Sequence, residues 1–127
     1  MELGFVKKLT LSFEDTITKA TDELKKEGFG ILTTIDVQNT IKQKLDKDFR
    51  KYTILGACNP QFSHEALLAD DQLGLMMPCN VVVQEKDGKT EVSIFNPALL
   101  QSFTTDEKLN RMSEELAGKI KRVLSNL

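Results

Sequence analysis

With 127 residues, the chain has material for one hydrophobic core but not for two. An apolar fraction of 40% and a charged fraction of 28% place it among ordinary globular domains and exclude a disordered chain. A net charge of -2, with both signs interleaved, gives no field that would gather nucleic acid or an acidic membrane.

No run approaches the roughly 20 apolar residues of a bilayer span. The first eight residues, Met1 to Lys8, lack the basic-then-apolar order of a signal peptide. The expected location is therefore the cytoplasm, with Cys58 and Cys79 as reduced thiols. Spacing leaves a disulfide between them open.

Residues 5 to 11 read as a strand, with Phe5, Lys7, Leu9 and Leu11 on one face. Ser12 is placed to cap a helix, answered by Asp15 three residues on. Phe13, Ile17, Ala20 and Leu24 follow at helical spacing, and Gly28 is the natural stop. Phe29 to Ile35 is β-rich, and Gly30 within it predicts a close approach of backbone. Asp36 can cap a second helix whose apolar side is Val37, Thr40, Ile41 and Leu45. Lys42, Lys44, Lys47, Arg50 and Lys51 make the following stretch locally basic, offset by Asp36, Asp46 and Asp48.

Tyr52 to Cys58 runs nearly continuously apolar after Thr53, the pattern of a strand covered on both faces. Asn59-Pro60 begins a short helix that ends near Asp70. A loop from Asp71 to Pro78 leads into a strand from Cys79 to Glu85. Asp87-Gly88 turns it back as a hairpin through Thr90 to Phe95. Thr104 or Thr105 opens the last helix, whose stripe is Leu109, Met112, Leu116, Ile120, Val123 and Leu127. The order β-α-β-α-β-α-β-β-α, undivided by repeat or linker, describes one α+β domain over residues 1–127. Its mixed or antiparallel sheet packs against helices, with the long final helix across one face.

Two strings occur together: Tyr52-Thr53-Ile54-Leu55-Gly56-Ala57-Cys58-Asn59-Pro60 and Pro78-Cys79-Asn80-Val81-Val82-Val83. Phe29-Gly30-Ile31-Leu32 and Ile35-Asp36-Val37 precede them, and Asn96-Pro97 follows. In this order the chain resembles the domain-of-unknown-function 302 family of small bacterial and archaeal proteins. Relatives often carry Asp-Pro where this chain has Asn96-Pro97. The resemblance implies a TATA-box-binding-protein-like α+β fold, a homodimer and no assigned activity. A fold shared with a DNA-binding protein does not confer DNA binding.

The candidate site is built on two thiol–amide dipeptides, Cys58-Asn59 and Cys79-Asn80, with His64. Cys58 precedes a helix N-terminus, where N–H groups lower a thiol pKa or hold an anion. Asparagine amides donate and accept at once, which suits a small polar ligand. The competing structural roles are apolar filler for the cysteines, a cap for Asn59 and a turn for Asn80. Cys58, Cys79 and His64 also make an inventory for zinc, without a standard spacing. Cys58 with His64 makes one for nucleophilic catalysis. No dinucleotide loop or Walker sequence is present.

The expectation is thus a homodimer binding a small polar ligand or anion through Cys58, Asn59, His64, Cys79 and Asn80. The sequence names neither a cofactor nor a reaction. Thiol redox or zinc binding is the alternative. Nucleic-acid binding is disfavoured by the charge balance and by having one tyrosine and no tryptophan.

Overall fold

The computed structural model describes residues 2–127. The strands are β1 (Gly4–Leu9), β2 (Gly30–Asp36), β3 (Tyr52–Cys58), β4 (Cys79–Lys86) and β5 (Lys89–Phe95). The helices are α1 (Phe13–Lys26), α2 (Val37–Leu45), α3 (Pro60–Ala69) and α4 (Glu107–Ser125). This is the order expected from the sequence, an α+β arrangement. Two short 3-10 helices, Asp71–Met76 and Pro97–Ser102, replace expected loop.

The five strands form one sheet in the order β1-β5-β4-β3-β2, and every neighbouring pair is antiparallel. The β4–β5 turn explains part of this. Asp87 and Gly88 both have positive φ, 54° and 76°, the conformation a two-residue hairpin demands.

Local capping sets the helix starts. Ser12 Oγ accepts the Asp15 amide at 3.1 Å, Asp36 Oδ1 that of Asn39 at 3.0 Å, and Asn59 Oδ1 that of Phe62 at 3.1 Å. Each such bond satisfies one orphan donor and contributes about 1 kcal/mol. The final helix begins later than Thr104 or Thr105: Asp106 caps it, accepting from Leu109 N at 2.8 Å. Thr104 Oγ1 instead accepts the Asp106 amide at 3.1 Å.

The core lies between one sheet face and the helices. Leu55, Val81, Val83, Val92 and Ile94 project from the sheet against Leu24, Phe29, Leu109, Ile120 and Val123. Burying a side chain of this size stabilises the fold by about 1.5–3 kcal/mol. Lys7 lies on the same side of β1 as the apolar Phe5 and Leu9, yet it fits there. Its Nζ donates to the Leu124 carbonyl at 3.0 Å, near the C-terminal end of α4 where a cation is favourable.

Three expectations are corrected. A Cβ added at Gly30 would meet no atom within 4 Å, so no close approach occurs there. Crowding occurs instead at Gly4, where a Cβ would collide with the Ile94 carbonyl, and at Gly56, where it would collide with Thr33 Oγ1 and come 2.8 Å from Pro78 Cγ. Strand β3 is not sandwiched between helices. Thr53, Leu55 and Ala57 face the core, whereas Tyr52 and Ile54 lie half-buried on the opposite face. The apolar side of α2 is not packed away: no residue of this helix is buried, and Leu45 is 62% exposed.

Candidate functional site

The antiparallel registers align residues into rows across the face that carries no core. The central row is Val6, Ser93, Val82, Ile54 and Ile35, running from β1 to β2. Beside it run Lys8, Glu91, Gln84 and Tyr52 on one flank. Gly56, Asn80 and Phe95 belong to the other flank. A trough of about 780 Å³ follows this face, lined by Val6, Tyr52, Asn80, Val82, Gln84 and Phe95 among others. Volumes of several hundred Å³, apolar walls and a few placed polar groups are the usual make-up of a small-molecule site.

One flank is organised by hydrogen bonds. The Arg50 guanidinium donates from Nε to Gln84 Oε1 at 2.9 Å, and Gln84 Nε2 donates to Glu91 Oε2 at 3.1 Å. Arg50 also lies over two rings, 4.5 Å from the centroid of Phe49 and 5.8 Å from that of Tyr52. Cation–π contact and the amide together hold a long side chain in one place. Gln84 is itself buried, and both ends of its amide are satisfied.

The residues singled out in the sequence do not all gather here. Asn80 is exposed and lines the trough. Cys79, its neighbour, points the other way: it pairs with Ala57 across the strands, on the side of Val81 and Val83. Burial pushes the Cys79 thiol up to about 11, and the nearby Cys58 thiol adds a smaller push in the same direction. Cys58 Sγ lies 3.3 Å from Ser63 Oγ, in the first turn of α3, and both cysteines are free thiols. Asn59 is occupied as the cap of α3, with its amide nitrogen beside Gly28. His64 is exposed on α3. Among the described residues, no group of three or more His, Cys, Asp or Glu side chains is arranged to hold a metal.

Sequence reasoning missed Tyr52, Val82, Gln84, Ser93 and Arg50. The signal was present in the alternation of the last hairpin. Asn80, Val82 and Gln84 share one face of β4, and Glu91, Ser93 and Phe95 share the matching face of β5.

Fold and site define a class: an antiparallel sheet with helices over one face and a lined, open hollow along the other. The profile of the family described as a domain of unknown function, DUF302, matches residues 5–127, and the chain belongs to that family. A solved crystal structure of an uncharacterised conserved DUF302 protein from Bacillus stearothermophilus is similar in fold. It shares 25% sequence identity, covers 99% of this chain and 98% of its own, and superposes with a TM-score of 0.88. No curated protein matches the chain.

Proposed function

We propose that the chain is a homodimeric small-molecule-binding module whose working surface is the helix-free face of the sheet. The observation that carries this is the central row Val6–Ser93–Val82–Ile54–Ile35. It is apolar at four of five positions and no helix covers it. A one-sided antiparallel sheet with nothing to bind would alternate apolar-in and polar-out. Asn80 and Ser93, at the trough wall, supply amide and hydroxyl groups to orient a bound molecule.

Binding suits the residues better than thiol chemistry. A thiol raised to about 11 is protonated at neutral pH, and the neutral thiol is neither nucleophile nor ready ligand. Dimerisation is favoured by the arm formed by β2 and α2. Leu32 and Leu45 are 68% and 62% exposed there, and Ile35 joins them. A nine-residue helix with no buried side chain draws little stability from its own propensity, so a second copy is the natural cover.

The test is a thermal-shift panel of small polar, anionic and amphipathic molecules, with amide chemical shifts mapped for every compound that raises Tm. Expected shifts cluster at Val82, Ser93 and Asn80. A panel without any stabilising compound, or one whose responses map to the helices, overturns the reading. Light scattering reads the dimer independently.

A further inference from the structure

We propose that Arg50 anchors the acidic head group of an amphipathic anion whose apolar body lies along the trough over Tyr52 and Val82. The inference rests on the binding reading above and adds the class of ligand. Arg50 is joined to the trough through two of its lining residues, Gln84 by a hydrogen bond and Tyr52 by stacking. Among the described residues the guanidinium enters no ion pair; the same holds for exposed Arg111, whereas Arg122 is paired with Glu27 at 2.9 Å, so what distinguishes Arg50 is its place beside the trough.

The hydrogen bond from Nε leaves the two terminal nitrogens free to grip a planar oxyanion. A carboxylate is the matching partner, taking two parallel N–H donors. Two aromatic rings restrict the side chain beforehand, so little freedom is lost when the anion arrives.

The surrounding charges set the orientation. Glu91 stands beyond Gln84, its Oε2 held by that amide, with Lys8 opposite it in the register. A second hollow of about 460 Å³ beside Arg50 is lined by Lys86 and Lys89 as well as Glu85 and Asp87. The trough itself is apolar along Val6, Val82 and Phe95, and Glu2 is the one carboxylate on its wall. An anion therefore meets its free cation at the Arg50 flank, and its hydrocarbon has the central row to cover.

Octanoate and octanol make the decisive pair of probes, titrated against the full chain and followed by amide chemical shifts. Arg50→Gln removes the charge, and Arg50→Lys keeps the charge without the fork. For the wild type, octanoate should bind at least about fivefold more tightly than octanol, with the largest shifts at Gln84, Tyr52 and Val82. Arg50→Gln should abolish that preference, while Arg50→Lys restores part of it. Equal binding of the two probes, or a preference that survives Arg50→Gln, overturns the head-group assignment and leaves the trough as a site for neutral molecules. If neither probe binds, the binding reading falls with it. A further variant, Val82→Arg, separates the remaining occupant. Conversion of a dimer to monomer by that change places a second copy of the chain on this face, and overturns the proposal.

Discussion

The half-buried thiol of Cys79 gives a sharp test of why binding is preferred to thiol chemistry. Its ordinary value is 9.0, and burial against the core raises it to about 11, with Cys58 adding a smaller push. At pH 8 the thiolate fraction falls from about one tenth to about one thousandth, a loss of about a hundredfold in nucleophile. The same shift predicts a pH dependence of stability. Below pH 9 both the folded and the unfolded thiol keep the proton, and nothing changes. Between 9 and 11 the unfolded chain sheds its proton first, so rising pH favours unfolding. The loss is about 2.3 kcal/mol when pH reaches the folded value and levels off at about 2.7 kcal/mol above it. Thiolate absorbance in the Cys58→Ser variant, where Cys79 is the only thiol, should rise well above pH 9 in the folded protein and near 9 in guanidinium. Urea unfolding of the wild type and Cys79→Ala at pH 8 and at pH 10.5 should show the larger alkaline loss in the wild type, the ion-paired Lys26 and Lys51 contributing the same smaller loss to both. A folded Cys79 that titrates at or below 9 would refute the reasoning and bring thiol chemistry back.

Gly56→Ala should destabilise the protein by about 1–3 kcal/mol in urea, because the added methyl meets Thr33 and Pro78 on a paired strand. Gly30→Ala, which meets nothing, should be far milder by the same measurement. Asn59→Ala should cost about 1 kcal/mol through the lost cap of α3 and leave any octanoate response intact, since the residue does not line the trough. Leu45→Asp should shift the proposed dimer toward monomer in light scattering while the monomer keeps its far-ultraviolet circular dichroism, because Leu45 supports no core contact.

Features written in neighbouring residues were legible in the sequence. Ser12, Asp36 and Asn59 cap the helices they were expected to cap, and Asp87-Gly88 makes the turn its composition demands. Features set by what lies across the sheet were not. The crowding at Gly56 comes from Thr33, on the adjacent strand, and from Pro78, 22 positions further along the chain, so nothing local distinguishes it from Gly30. The continuous apolar run of β3 reads as double coverage. In fact one half of it faces the core and the other half, Tyr52 and Ile54, lies on the opposite face of the sheet, where Tyr52 lines the trough. Of the five residues chosen for chemistry, only Asn80 lines that trough, because a thiol–amide dipeptide on a strand sends its two side chains to opposite faces.

That same alternation explains how the helix-free face can serve as a site. In β4, Val81 and Val83 are committed to the core, so stability constrains them. Asn80, Val82 and Gln84 are released from that duty, yet they are not simply solvated: Val82 continues an apolar row through Ile54 and Ile35. Keeping hydrocarbon there costs solubility and contributes nothing to this core, so its retention calls for an occupant. Gln84 sharpens the point. A buried amide that spends both ends on Arg50 and Glu91 fixes a cation at the border of that hydrocarbon. Hydrocarbon alone would accept any greasy molecule in any direction; a cation held at one edge admits one end of the ligand and not the other.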